Sequence, residues 1–132
     1  MRTLITLSTD RREQLVDITD EVRSAVSRAD AGHSLCTLYA LGATAAIMIQ
    51  ENWDPNIQQD VLSCLRRMVP EGEWIHDRID GNGDAHIKAG LVGPSEVIPV
   101  EKGKLLLSRW QNVFFCEFDG PRSTRQVVVT LL

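Results

Sequence analysis

Apolar and polar residues alternate along much of this chain, and a period of two predicts a protein built mainly of β-strands. Turn-forming Gly, Pro, Asn and Asp residues separate the alternating segments. Because most of these segments follow one another directly in sequence, we expect largely antiparallel pairing. The predicted strands are Thr3–Leu7, Gln14–Ile18, Ser34–Ala40, Thr44–Ile49, Val97–Val100, Lys104–Leu107, Gln111–Phe118 and Arg125–Leu131.

Two short segments have the helical period instead. One predicted helix begins at Thr19 or Asp20, either of which can cap it, and reaches about Ala29. The other is predicted over Asp84–Leu91, with Asp84 as its N-cap. The segment Glu71–Gly83, directly before the second of these helices, holds too many Gly and charged residues for a regular element. A loop is therefore expected there.

The most regular helical pattern starts at Asp54-Pro55. Asp54 suits the N-cap and Pro55 the first helical position, where a backbone N–H is not needed. Pro70 marks the end of the pattern. One face of the predicted helix is apolar and formed by Ile57, Val61, Cys64, Leu65 and Met68.

Length and composition agree with a globular protein of one domain. The chain has 132 residues, of which 43% are hydrophobic and 24% charged. No repeat or linker divides it, so residues 1–132 are expected to form a single domain. The order of the predicted elements favours an α+β fold with largely antiparallel strands and two to three helices.

Charge and hydropathy argue against several classes of protein. The net charge is −4, without a clustered basic face, so no nucleic-acid partner is expected. No apolar run approaches the ~18–20 residues of a membrane span, and charges at 10–13 interrupt any signal peptide. A cytoplasmic location with no membrane partner is the expectation. The three cysteines form no close pair, and we expect Cys64 and Cys116 to be core residues rather than disulfide partners.

Two of the three histidines flank a turn-rich run at residues 80–84. This run is not a calcium loop, because Ala85 and Leu91 stand where that motif needs Gly and Glu. His86 falls in the first turn of a predicted helix, where backbone N–H groups favour an anion such as phosphate. It can act there as a proton acceptor or metal ligand, or be a surface residue at a helix start. His76 lies ten residues earlier, which is not a helical zinc spacing.

Acidic residues follow the strand predicted at 44–49. Asp54 is accounted for by helix capping, although its second carboxylate oxygen stays free for a ligand. Glu51 has no such structural role and is the better candidate for a general base or a metal ligand.

A second polar group ends the strand predicted at 111–118. Glu117 and Asp119 share one strand face, and Gly120-Pro121 then turns the chain so that Arg122 lies near them. The group is either an ion pair at a strand end or a site for a phosphate or for acid–base chemistry. Trp110 is more typical of a core than of a ligand platform, and Gln111 beside it needs a polar partner.

Taken in order, these residues resemble the YjbQ-like family, often labelled the secondary thiamine-phosphate synthase group. The resemblance runs from about Leu35 to the C-terminus. The matching stretches are Thr44-Ala45-Ala46, Gln50-Glu51-Asn52, Asp54-Pro55, His76, Asn82, Ala85-His86, Leu91-Val92-Gly93-Pro94-Ser95, Pro99-Val100, Gly103, Trp110-Gln111 and Glu117-Phe118-Asp119-Gly120-Pro121-Arg122.

The resemblance implies a small sandwich domain that assembles as a homotrimer, with a polar pocket near the subunit contacts lined by histidine, Glu and Asp side chains. It also implies association with a divalent metal, zinc or magnesium, and a weak thiamine-phosphate synthase activity attributed to some members. On this basis the expected catalytic residues are Glu51, His86 and Arg122, and the expected metal ligands are His76 and His86. The remaining expected ligand-binding residues are Asp54, Asn82, Gln111, Glu117 and Asp119.

The chain departs from the family pattern at one important place, and in a smaller way at Ser108, where the family has Gly. The family carries His-Thr-Thr-Ala-Ala where this sequence reads Gly42-Ala43-Thr44-Ala45-Ala46. The loss of one of three imidazoles should weaken a histidine-rich metal site, because ligand number sets affinity and geometry. Three functions therefore stay open: an enzyme acting on a phosphorylated small molecule, a non-catalytic metal- or ligand-binding trimer with an impaired site, and a polar cluster that only stabilises subunit contacts.

Overall fold

The computed structural model describes residues 1–132 and contains eight strands, three α-helices and one 3₁₀ helix at Ile75–Arg78. The strands are β1 (Arg2–Thr9), β2 (Gln14–Asp17), β3 (Leu35–Leu41), β4 (Ala45–Gln50), β5 (Ser95–Glu101), β6 (Lys104–Leu105), β7 (Asn112–Glu117) and β8 (Arg122–Leu131). The helices are α1 (Thr19–Ser27), α2 (Asn56–Met68) and α3 (Gly83–Val92). Every strand predicted from the alternating pattern is present, with ends shifted by a few residues.

The strands form two sheets that pack face to face. The larger sheet has the order β1-β8-β3-β5-β6 and the smaller one the order β2-β7-β4. Every strand pair is antiparallel, which confirms the α+β prediction. The long apolar strand β8 lies between β1 and β3, so its backbone is paired on both sides within one chain.

Two hydrophobic clusters hold the layers together. The larger cluster fills the space between the sheets and includes Leu38, Phe115 and Val127, with α1 closing one side. The smaller cluster lies on the other face of the three-stranded sheet, where Phe114 and Phe118 pack against α2 and α3. The molecule is therefore layered as large sheet, small sheet and helices. None of the helices is both long and apolar enough to cross a bilayer.

The outer face of the large sheet is covered by nothing in this chain. Its exposed apolar side chains, which we call the outer sheet face, are Leu4, Leu35, Tyr39, Leu41 and Val97. Leu4 pairs with Val128, and Val128 pairs with Tyr39, so an apolar row crosses three strands. A monomeric protein seldom leaves such a contiguous apolar surface in water.

The helical predictions need three corrections. Helix α3 begins at Gly83 after Asn82, not after Asp84, which is buried within its first turn. The segment expected to be a loop contains the 3₁₀ helix. Asp54 does accept a bond from the Asn56 N–H (2.9 Å), but α2 starts one residue later than predicted.

The apolar face predicted for α2 is only partly buried. Of its members only Leu65 is buried, whereas Cys64 and Met68 are exposed, so the prediction that Cys64 is a core residue is wrong. The other two thiols are buried. Desolvation raises the pKa of Cys36 to about 11 and that of Cys116 to about 12. Both are therefore uncharged and unreactive at neutral pH.

Two glycines respond oppositely to alanine substitution. A Cβ on Gly90, inside α3, meets no atom within 4 Å. Gly90→Ala should therefore stabilise the protein by roughly 0.5–1 kcal/mol, because alanine has the higher helix propensity. Gly42 has a φ of +149°, and its Cβ would lie 2.9 Å from Arg125 Nη1, so Gly42→Ala should destabilise. Urea unfolding of both variants measures the difference, and a stabilised Gly42→Ala variant would contradict this account.

Candidate functional site

Polar residues gather at both ends of the paired strands β4 and β7. Gln50 pairs with Asn112 at one end, and Ala45 pairs with Glu117 at the other. Five residue steps of antiparallel strand separate these ends by about 17 Å. We call the end at Ala45 and Glu117 the histidine end, and the end at Gln50 and Asn112 the Glu51 end.

The histidine end brings the two predicted histidines together. The rings of His76 and His86 lie edge to face, with centroids 4.6 Å apart. His76 Nε2 is shielded from solvent without a hydrogen-bond partner, and the nearest carboxylate oxygen, from Asp80, is 3.5 Å away. No three or more His, Cys, Asp or Glu side chains of the chain are grouped to hold a metal ion. The pair alone thus provides too few ligands for a zinc site.

Asp77 fixes the geometry of this end, although the sequence reasoning did not single it out. Its carboxylate accepts bonds from the Trp74 N–H (3.0 Å) and from the Gly83 N–H (2.7 Å). These backbone bonds hold the pKa of Asp77 below its usual value. A Cβ on Gly83 would lie 2.6 Å from the Trp74 Cβ, so the close approach requires glycine. Asp77 thereby ties the 3₁₀ helix to the start of α3.

Asn82, Asp119 and Arg122 form a second group at the histidine end. Asn82 Nδ2 and Arg122 Nη2 both donate to Asp119 Oδ2, each at 2.8 Å. Burial raises the pKa of Asp119, but the bonds from Asn82 and Arg122 outweigh that effect, and the net shift is downward. Asn82 Oδ1 is buried without a donor. The Arg122 side chain is 47% exposed and presents its positive charge to solvent.

Glu117 pairs with Arg125 rather than with Arg122. The Glu117 carboxylate is completely buried and accepts bonds from Arg125 Nε (3.0 Å) and Nη2 and from Thr9 Oγ1 (2.7 Å). Arg125 Nη2 also donates to Thr44 Oγ1 (2.9 Å). Burial raises the pKa of Glu117, but these hydrogen bonds and the nearby guanidinium outweigh it and lower the pKa overall. The polar group expected after β7 is therefore two separate ion pairs.

These lowered pKa values predict a loss of stability in acid. Asp77, Glu117 and Asp119 titrate at lower pH in the folded chain than in the unfolded chain. Their contribution is complete above the unfolded pKa of about 4 and is lost as the pH falls through the folded values. The free energy of unfolding, measured in urea, should be nearly constant from about pH 7 to 5.5 and fall below about pH 4.5. A value that stays constant to about pH 3 would contradict the prediction.

Gly42 lies beside Arg125, at the position where the family pattern has histidine. Arg125 Nη1 has no hydrogen-bond partner, in contrast to Nε and Nη2. Gly42 forms part of the wall of a cavity of about 660 Å³ that also includes His86 and Ala89. The cavity continues to Tyr39 and Leu41, which belong to the outer sheet face.

The Glu51 end holds the other expected site residues. Glu51 is half-buried, and its N–H donates to Gln50 Oε1 (2.9 Å), whereas its carboxylate has no partner in the chain. Gln111 is exposed, and its Oε1 accepts from the Ser108 N–H (2.9 Å). Asp54 is likewise exposed. Within one chain these residues are thus a strand length away from the histidines.

Trp110, expected in the core, is instead 45% exposed at the Glu51 end. Its ring meets that of Trp53 edge to face, with centroids 5.8 Å apart. The Arg109 guanidinium lies 4.8 Å above the Trp110 ring. Trp53 is 76% exposed, so the pair forms an aromatic surface rather than a packed interior.

A buried ion network next to the histidine end also escaped the sequence reasoning. Lys88 Nζ, almost fully buried, donates to Asp84 Oδ2 (2.8 Å) and to Glu13 Oε2 (3.2 Å). Arg12 Nη2 donates to Asp84 Oδ1 (3.0 Å). The only local sign of this network is the four-residue spacing of Asp84 and Lys88 on one helix face. The partners from the β1–β2 turn are too distant in sequence to be inferred.

Comparison with known proteins agrees with this architecture. The family described as UPF0047 protein YjbQ-like matches residues 3–132. A UPF0047 protein of Methanocaldococcus jannaschii is 43% identical over 116 residues, covering 88% of this chain and 83% of the relative. The UPF0047 protein YugU of Bacillus subtilis is 36% identical over 117 residues, covering 89% of each chain.

Solved structures show the same fold. A YbjQ-like protein of unknown function from Sulfolobus solfataricus superposes with a TM-score of 0.95 at 36% identity, covering 99% of this chain and 95% of the other. A hypothetical protein from Aeropyrum pernix superposes with a TM-score of 0.93 at 34% identity, covering 100% and 98%. Since the match extends over nearly the whole chain in sequence and in fold, the chain belongs to the YjbQ-like, or UPF0047, family.

Proposed function

We propose that this protein is a homotrimer with a polar pocket between subunits, and that the pocket binds a phosphorylated small molecule for thiamine-phosphate synthase-type transfer. One observation carries the proposal: the cavity that contains His86 opens at the border of the uncovered outer sheet face. Subunits that bury this face against each other would place the cavity at their contact. A closed symmetric assembly also removes the exposed apolar surface.

An apolar strand at a sheet edge would be a reason to associate, but the apolar end of β8 is not such an edge. Leu131 is buried, and β8 pairs on both sides within the chain. The case for association therefore depends on Leu4, Tyr39 and Val97, which stand on the outer sheet face.

The charged groups at the histidine end favour an anionic ligand. Arg122 presents a half-exposed guanidinium, which suits phosphate oxygens. Asn82 precedes α3, whose N-terminal backbone carries partial positive charge. In the proposed transfer, pyrophosphate leaves the pyrimidine's methylene carbon as the thiazole nitrogen bonds to that carbon. Arg122 would stabilise the departing negative charge, and His86 would accept or donate a proton beside it.

Glu51 takes part only if a second subunit supplies it. Within one chain Glu51 and His86 lie at opposite ends of β4 and β7. We propose that trimer contacts bring the Glu51 end of one subunit to the histidine end of its neighbour. Asp54 and Gln111 would then line the same pocket.

A divalent metal fits the chain's own residues poorly. His76 and His86 are adjacent, but no third His, Cys, Asp or Glu completes a site, and Gly42 stands where the family has an imidazole. The second candidate function is therefore a ligand-binding trimer that does no turnover. Native mass spectrometry of the untagged protein separates the cases, because it reports the trimer, a bound metal and a bound phosphorylated molecule as distinct masses.

Mixing two inactive variants tests the shared site. Glu51→Ala and His86→Ala should each abolish formation of thiamine phosphate from the pyrimidine diphosphate and the thiazole phosphate. If adjacent subunits share each site, random trimers from an equal mixture should regain about a quarter of wild-type activity, since each site draws two intact residues by chance. A mixture as inactive as its components would rule out the shared site. A wild-type trimer without activity would leave the ligand-binding function.

Charging the outer sheet face should break the trimer. Tyr39→Lys places an ammonium in the proposed contact and should give monomers in native mass spectrometry. Met68→Lys is the matched control, because Met68 is also exposed but lies on α2, on the opposite side of the molecule. Monomers from Met68→Lys, or trimers from Tyr39→Lys, would show that the contact is elsewhere.

A further inference from the structure

The exposed thiol of Cys64, on α2, has two methionine thioethers near it. Cys64 is the only exposed cysteine of the chain. Its Sγ–H donates to the Met68 Sδ, one helical turn further along, at a distance of 3.7 Å. Cys64 also shares a groove of about 320 Å³ with Met48 of β4. Apart from Met1, both methionines of the chain are therefore beside its one exposed thiol.

We propose that Cys64, Met68 and Met48 form a binding site for a soft monovalent cation, Cu(I) in particular. Thiolate and thioether sulfurs are the ligands that select Cu(I). The cation would replace the thiol proton, which already lies between Cys64 Sγ and Met68 Sδ and would leave to solvent. The copper keeps its oxidation state, so binding consumes no oxidant or reductant. This site lies within one chain and uses no residue of the proposed pocket, so it depends neither on the trimer nor on the transfer reaction.

The distance between the first two sulfurs fits a metal with more than two ligands. With metal–sulfur bonds of about 2.3 Å, a separation of 3.7 Å corresponds to an angle of about 107° at the metal. This angle is far from a linear two-coordinate arrangement and close to a trigonal or tetrahedral one. A third ligand is therefore needed, and Met48 supplies a sulfur in the same groove as Cys64. The unbranched methionine side chain, with three rotatable bonds, adapts readily to such a site.

The surroundings of the three sulfurs favour a soft cation over a hard one. The apolar part of the groove wall is formed by Ile57, Val61 and Leu65, whose side chains offer no oxygen or nitrogen ligand. Asp60 is the only charged residue on that wall, and its carboxylate favours a cation near by. No group of three His, Cys, Asp or Glu side chains, from which a zinc site could be built, is assembled here.

Competition for Cu(I) tests the site in the full-length protein. Under anaerobic conditions with ascorbate, the wild-type protein should remove a single Cu(I) ion from its complex with bicinchoninate. Cys64→Ser, Met68→Leu and Met48→Leu should each weaken binding at least about tenfold, because the type of ligand sets the affinity. Leucine and methionine are similar in volume, so both methionine variants should fold. An excess of Zn²⁺ should not displace Cu(I), since thioethers are not among the usual zinc ligands.

Methionine methyl resonances show whether the thioethers take part. On addition of Cu(I) the Cε methyl signals of Met48 and Met68 should shift, whereas that of Met1 is the internal control and should not. The proposal is overturned if Cu(I) does not bind, if any of the three variants binds it like wild type, or if Zn²⁺ displaces it. It is also overturned if Cu(I) binds without shifting the signals of Met48 and Met68, as it would at a bare thiolate. None of these outcomes bears on the subunit-mixing result, so the two proposals fail independently.

Discussion

Replacing Arg125 by alanine should lower the free energy of unfolding by about 3–5 kcal/mol, among the largest effects of any single substitution in this protein. The loss is large because Arg125 is the ion-pair partner of the buried Glu117 carboxylate. The Glu117 carboxylate has no exposed surface, and Arg125 supplies two of its hydrogen bonds. Without the guanidinium, a buried charge keeps only Thr9 and a backbone N–H as donors. Urea unfolding at pH 7 measures the loss.

Arg122→Ala is the matched control for this experiment. Arg122 lies on the same strand and also pairs with a carboxylate, that of Asp119, but its side chain is 47% exposed. An exposed ion pair contributes little, so the expected loss is below about 1 kcal/mol. Equal losses in the two variants would show that burial does not set the cost. Arg125→Lys should recover part of the stability, since it keeps the charge but not the fork of donors.

Lys88→Met should be destabilising by a similar amount, about 3 kcal/mol. Methionine keeps an unbranched stem but removes the ammonium that lies between the carboxylates of Asp84, which is buried, and Glu13, which is partly exposed. Asp84 would retain Arg12 as its remaining cationic partner, which limits the loss.

Arg66→Met provides the comparison for Lys88. Arg66 Nε donates to the other oxygen of the same Glu13 carboxylate (3.0 Å), but Arg66 is 54% exposed. Its replacement should cost less than about 1 kcal/mol. If Lys88→Met unfolds at the wild-type urea concentration, the buried network is not a source of stability. If Arg66→Met lowers the free energy of unfolding more than Lys88→Met does, then Lys88 is not the main stabilising member of the buried network.

The strands were predictable because alternation is a local signal. On β8 the same alternation also explains why Glu117 meets Arg125: the side chain of Arg125 points inward with Val127 and Val129, whereas Arg122 falls on the other face. Sequence proximity suggested Arg122 instead, because the turn at Gly120-Pro121 brings it near in the chain. A period of two decides the face of a residue, and proximity in sequence does not.

The helical errors have a different origin. Helix α3 starts early because Asp77, six residues upstream, accepts the Gly83 N–H, a contact that no capping pattern includes. The amphipathic pattern of α2 was correct, but a pattern does not say what covers the face, and Cys64 and Met68 stay exposed. The separation of Glu51 from His86 likewise follows from the pairing of β4 with β7, which brings residues far apart in sequence into register.

The position of β8 has a consequence for synthesis of the chain. This strand follows every other element in sequence but lies between β1 and β3, and Arg2 pairs with Thr130 across almost the whole length of the protein. On the ribosome, β1 therefore emerges without its neighbour and waits until nearly all of the chain has been translated. The larger sheet closes only after translation of β8, so this half of the sandwich folds late. Until then β1 and β3 lack the strand that pairs with both of them, and their apolar faces stay exposed.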